Sequence, residues 1–186
     1  MEIVASATED EMVEAWVEAE RESPRHRAEW AALGLESVPL SASMRGAALA
    51  RLRGFPNEFI FQGLPHPLHW HRATMSVEEL ARVRFCNYQT FVRLSGGTRL
   101  VGDGAASVEG ADAGEELNDR IRQAEEALRS GIEQQPLILV TAPDQPTPIV
   151  IEGNTRAAAY VRAMQPADEI SFLLGSADDL SGWHWV

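Results

Sequence analysis

The first helical signal is a set of apolar residues, Met12, Val13, Trp16 and Val17, behind a Thr8-to-Glu11 capping-box pattern. This predicts a helix from about Glu9 to Arg21, stopped at Ser23-Pro24. A short helix over about Arg25 to Leu33 ends at Gly34, and a third over Ser43 to Arg53 stops at Gly54-Phe55-Pro56. From Glu58 to Thr74 the pattern changes: Phe59-Ile60-Phe61 and Leu68 to Thr74 read as extended segments broken by Gly63, Pro65 and Pro67. Ser76 then caps a predicted helix with Glu79 at its third position, Val77, Leu80, Val83 and Phe91 inward, and an end at Ser95-Gly96-Gly97. Val101 to Gly114 holds four glycines and four alanines and reads as a flexible loop or lid.

The second half has the clearest signals. A helix is predicted over Glu115 to Ser130, a strand over Pro136 to Val140, and a proline-rich turn over Ala142 to Pro148. A strand from Ile149 to Glu152, a helix from Arg156 to Met164 and a strand from Ile170 to Leu174 follow, before a polar loop and the ending Trp183-His184-Trp185. No internal repeat is visible. The expected fold class is α/β (α+β), a small mixed sheet packed with helices, divided into a helical N-terminal extension (1–57) and a core (58–186).

Composition narrows the chemistry. The 186 residues are 45% hydrophobic and 24% charged, an ordinary globular balance long enough for a real core. No run approaches a membrane span, and Met1-Glu2-Ile3-Val4 lacks the pattern of a secretory signal, so a cytoplasmic protein without a membrane partner is expected. The single cysteine, Cys86, fits a reducing compartment. A net charge of −12 disfavours nucleic acid as a partner. All sixteen basic residues are arginine, which removes a P-loop lysine, a lysine Schiff base and a lysine general base. Any side-chain cation that holds a phosphate must therefore be arginine, whose fork suits phosphate oxygens.

One turn stands out: Pro148 to Glu152, then Gly153-Asn154-Thr155-Arg156, then Ala157-Ala158-Ala159-Tyr160. Gly153 permits a tight strand-to-helix turn, Asn154 or Thr155 can cap the helix, and the free N–H groups at its start attract anions. Arg156 lies in the first helical turn, where a cation is mildly disfavoured unless an anion intervenes. The three alanines let the helix lie close to the sheet. The same spacing also suits a plain connection in which Arg156 pairs with Glu152.

The order of helix Leu117 to Arg129, Gly131, strand Gln135 to Val140, hairpin, strand, Glu152-Gly153-Asn154-Thr155-Arg156 and alanine-rich helix resembles the core of the ParB/sulfiredoxin superfamily. The resemblance covers roughly Glu115 to Met164. It implies a site in which the glycine turn and arginine bind nucleotide phosphates: CTP in ParB partition proteins, ATP in sulfiredoxins, ADP or ATP in related free-serine kinases. Sulfiredoxins place a cysteine after the glycine, where this chain has Asn154. ParB proteins usually carry glutamate and a second arginine there, where this chain has Asn154 and Thr155. No ParB-like helix-turn-helix is expected after Met164. Sulfinic-acid reduction and partition are thus not implied. The expectation is a phosphate site at Gly153, Asn154, Thr155 and Arg156, with Glu152 as acid/base or Mg²⁺ contact, ATP or CTP as cofactor, and a phosphorylated small molecule as ligand or substrate. The activity would be that of a small-molecule kinase or phosphohydrolase, with a non-catalytic binding module as the alternative and a metal-dependent enzyme using His69 and His71 as a further one.

Other constellations are weaker. Ser95-Gly96-Gly97-Thr98-Arg99 suits a second phosphate-facing loop, with Arg99 partnering Arg156, and equally a helix C-cap. His69 and His71 project from one face of a predicted strand near His66, the spacing of a metal pair that lacks further ligands, or else of a polar strand surface. Cys86 is expected mid-helix as a buried small residue. Trp183 and Trp185 can stack on a base or pin the chain end to the core, and Tyr160 is expected in the core.

Overall fold

The computed structural model describes residues 1–23, 26–35, 38–110 and 114–186. The sheet follows from the runs Leu137 to Val140 and Ile149 to Ile151, whose side chains are almost wholly withdrawn from solvent on both faces. A strand with both faces apolar must be covered on both sides, and here it is. Ile138, Val140, Ile149, Ile151 and Leu173 enter one core, and Leu137, Leu139, Val150, Phe172 and Leu174 enter the other. The alternation along each strand is the period of two of a pleated sheet.

The strands are β1 (Glu2–Ser6), β2 (His69–Ser76), β3 (Arg84–Phe85), β4 (Leu137–Ala142), β5 (Gln145–Glu152) and β6 (Glu169–Ser176), in the spatial order β1-β2-β6-β4-β5-β3. β2 pairs antiparallel with β1 and with β6. β4 pairs parallel with β6 and antiparallel with β5, and β3 adds a parallel edge to β5. The mixed sheet flanked by helices is the α/β (α+β) class expected.

One face is covered by α1 (Glu9–Glu22), α2 (Arg27–Leu33) and α3 (Ala42–Arg53). The capping box forms: Glu11 N–H donates to Thr8 Oγ1 at 3.2 Å, and Thr8 N–H donates to Glu11 Oε2 at 2.6 Å. Met12, Trp16, Trp30 and Leu49 fill this core with Trp183. The helical N-terminal segment is therefore one wall of the same body, and the strand before it joins the sheet: β1, absent from the sequence expectation, pairs Glu2 with Thr74 and Ser6 with His71. Every β1 residue is exposed, so no buried face marked it in the sequence. The opposite face carries α4 (Val77–Leu80), α5 (Gln89–Leu94), α6 (Val101–Ser107), α7 (Glu115–Arg129) and α8 (Asn154–Ala163). Ala157, Ala158 and Ala159 have no exposed surface, so α8 lies close against the sheet as its composition predicts.

Four expectations are corrected. Phe59-Ile60-Phe61 is a 3-10 turn, not an extended segment, and its Ile60 and Phe61 pack under the helical layer. The predicted long helix from Ser76 to Ser95 is one turn of α4, then β3, then α5. The capping box at Ser76 and Glu79 starts it as expected. Val83 and Phe85 fit an extended segment equally well, and the chain leaves the helix so that Arg84 and Phe85 pair with Ile149 and Val150. Cys86 follows β3 and so is not mid-helix, though it is fully buried. Much of the expected flexible loop is α6, with Val101, Gly104, Ala105 and Val108 buried. The loop's Ala111 to Ala113 and Arg25 of the second predicted helix lie outside the described residues. Among the described residues no helix is long and apolar enough to cross a membrane.

Candidate functional site

β5 delivers the chain to Gly153, which takes φ +88° and ψ 20°, the left-handed region that residues with a Cβ avoid. A Cβ there would lie 2.6 Å from Leu137 Cδ2 and 3.0 Å from Arg156 Nη2. The glycine is thus required twice, by its backbone angle and by the guanidinium lying over it. Gly153 is itself the N-cap of α8, and no side chain caps that end. The expected cap from Asn154 or Thr155 is not made, because both already stand inside the first turn. Asn154 Oδ1 instead accepts from the Cys86 thiol at 3.7 Å. The amides of Asn154, Thr155 and Arg156 occupy the positions that have no intrahelical acceptor.

Arg156 Nη2 reaches Pro136 O and Glu152 Oε1, each at 3.4 Å, so the pairing of the plain-connection reading is present. At that length it is slack beside the ~2.7–2.9 Å of a tight charge-assisted bond. Arg156 Nε is buried and has no hydrogen-bond partner.

Glu152 to Arg156 line a cleft of about 490 Å³. Its remaining walls come from α1 and the end of α3 (Trp16, Glu20, Arg53), from the start of α5 (Tyr88, Phe91), and from α7 (Arg120, Gln123). The charges are mixed, with three arginines (Arg53, Arg120, Arg156) facing Glu20, Glu22 and Glu152. Glu20 is buried and takes hydrogen bonds from Trp16 Nε1 at 3.2 Å and Arg53 Nε at 2.5 Å, with His26 Nε2 at 2.9 Å. Burial favours its protonated form, but the His26 and Arg53 contacts outweigh burial and hold its pKa at about 2. Burial drives the Cys86 thiol the other way, to about 12, which removes it as a nucleophile.

The sequence did not mark Glu20, Arg53, Arg120 or Tyr88. A signal existed for Glu20, which stands one turn after Trp16 on the apolar stripe of α1, where a carboxylate needs partners. Arg99 is not brought to Arg156. It adopts φ +64° and fastens its guanidinium to Phe85 O (Nε 3.1 Å, Nη2 2.9 Å) and to Trp185 O (3.3 Å), outside the cleft lining. Ser95 ends α5 as the C-cap reading expects. His69 is exposed and His71 half-buried on β2, while His66 pairs with Glu9 at 2.7 Å. Among the described residues no three His, Cys, Asp or Glu side chains gather as a metal site. Trp183 donates to Ile60 O at 2.7 Å and Trp185 to Phe59 O at 3.3 Å, so both fasten the chain end.

No protein-family model, curated protein or solved structure matches the chain.

Proposed function

We propose that this cleft binds a phosphorylated small molecule, foremost a nucleoside di- or triphosphate, with its phosphates at the Gly153 turn in the manner of ParB/sulfiredoxin-like domains. One observation carries the reading: an uncapped helix start behind a left-handed glycine, with an arginine laid across it, opens into a cleft large enough for a small organic ligand. The amides of Asn154 and Thr155 and the Arg156 guanidinium would hold phosphate oxygens and stabilise charge on a transferring phosphoryl group. Glu152 lines the same cleft and suits either of two roles, activating an acceptor hydroxyl or contacting Mg²⁺, which usually takes one or two carboxylates beside the phosphates. When bound, the ion would supply charge neutralisation on the phosphates. The reaction class is phosphoryl transfer to a small acceptor or to water.

The slack contact between Glu152 and Arg156 supports a second reading. At 3.4 Å the two side chains already partner each other as in a plain strand-to-helix connection, which favours a binding module without turnover. Calorimetric titration with ATP, CTP and their diphosphates tests the first reading. Arg156→Ala is expected to weaken binding about 10- to 100-fold, and absence of heat with every nucleotide overturns it. Binding without turnover across hydroxylated acceptors and water selects the module.

A further inference from the structure

A phosphate fills little of a cleft of about 490 Å³. Clefts of roughly 300–1,000 Å³ hold whole organic ligands, so the turn accounts for one end of the occupant and other walls must contact the rest. Several of those walls are apolar, and Tyr88 differs from its neighbours there. Trp16, Ile60 and Phe91 are buried in the core, whereas Tyr88 is 36% exposed.

Tyr88 is also held in place. Its N–H donates to Cys86 O at 2.7 Å, and its ring packs on Trp185 at 4.4 Å between centroids, tilted by 41°. Trp185 is fixed in turn: its indole donates to Phe59 O, and its carbonyl accepts from Asn87 N–H and from Arg99 Nη2, each at 3.3 Å. Trp183, buried and bonded to Ile60 O, already anchors the chain end, so the Trp185 brace does something further. It gives a cleft-lining aromatic ring a rigid backing. Tyr88 is two residues from Cys86, at most about 7 Å along the chain. The Cys86 thiol is 3.7 Å from Asn154 Oδ1 in the first turn of α8. Tyr88 and the turn line the same cleft, so one ligand can touch both.

The geometry points to Tyr88 as the residue that recognises the base of a nucleoside polyphosphate whose phosphates occupy the Gly153 turn. The inference rests on the nucleotide reading above and adds to it the residue that tells a nucleotide from a phosphosugar or inorganic polyphosphate. Stacking on an aromatic ring tolerates any base, so Tyr88 selects for the presence of a base more than for its identity.

The test is calorimetry on the full chain with ATP, CTP and inorganic tripolyphosphate. The unmodified protein is expected to bind the nucleotides roughly 5- to 150-fold more tightly than tripolyphosphate, the range that one stacked base supplies. Tyr88→Ala is expected to erase that difference while leaving tripolyphosphate affinity unchanged, and Tyr88→Phe to preserve it. Retained tripolyphosphate binding shows that the variant is folded. Equal affinity for nucleotides and tripolyphosphate in the unmodified protein overturns the inference without any variant, as does a Tyr88→Ala protein that keeps the full nucleotide preference. In either case the weakened binding of Arg156→Ala leaves the phosphate site standing. No heat with any of the three overturns the site and this inference together.

Discussion

Glu20 and Gly153 face each other across the cleft as opposite kinds of constraint, one electrostatic and one steric. The Glu20 carboxyl ionises more readily in the folded chain than its ordinary value of 4.5, at about 2, so the folded state binds fewer protons. Its stabilising contribution is thus complete above about pH 4.5 and is lost as pH falls toward 2. Glu20→Gln is expected to flatten the acid limb of stability against pH, followed by circular dichroism. It should also lower stability at neutral pH by about 3–5 kcal/mol, because Arg53 keeps its charge without its partner. At Gly153 an added methyl must take a left-handed backbone, at about 1–2 kcal/mol, and must displace Leu137 Cδ2, 2.6 Å away. Gly153→Ala should therefore lower the melting temperature. It should also weaken nucleotide binding, since the added methyl crowds the Arg156 guanidinium at 3.0 Å as well. Thermal denaturation and calorimetry on one sample read both effects.

Two helical glycines should respond with opposite sign to the same change. In α6 a Cβ on Gly104 would lie 2.5 Å from Phe85 Cε2, and Phe85 is fully buried beside Phe91. Overpacking costs about 1–3 kcal/mol and exceeds the ~1 kcal/mol that alanine gains in helix propensity, so Gly104→Ala should destabilise in urea titration. In α3 nothing lies within 4 Å of a Cβ on Gly46, so Gly46→Ala should stabilise by about 0.5–1 kcal/mol. The same residues show what was legible in the sequence. Val101, Gly104, Ala105 and Val108 follow the i, i+3, i+4, i+7 spacing of a helix, but glycine as a contact residue is indistinguishable by composition from glycine as a breaker. The starts of helices with capping boxes and the strands with both faces apolar were readable, because their signals are local. β3 was not, since two residues become a strand through pairing with Ile149 and Val150. In the site, the turn from Glu152 to Arg156 could be read from a strand, a glycine and an alanine-rich helix. The facing wall of Glu20, Arg53, Arg120 and Tyr88 comes from four distant segments, and only the fold brings them together.

At the scale of the whole molecule, the cleft is lined from both helical layers, by Trp16, Glu20 and Arg53 from one and by Arg120, Gln123 and the Gly153 turn from the other, so it needs both. The sheet order has a consequence for how the chain is made. β2 and β4 are not neighbours; β6 lies between them, antiparallel to one and parallel to the other. Until β6 is made, the growing chain can therefore pair its strands only as two separate fragments, β1 with β2 and β4 with β5 and β3. Each presents an open edge, on one side the segment Trp70 to Met75 and on the other Leu137 to Val140. Leu173→Ala, at the join, is expected to slow refolding in stopped-flow experiments, whereas Leu49→Ala in α3 should mainly speed unfolding. β6 follows the other five strands along the chain and closes the sheet, so until it is made the nascent chain carries unpaired apolar edges that a holdase would have to shelter.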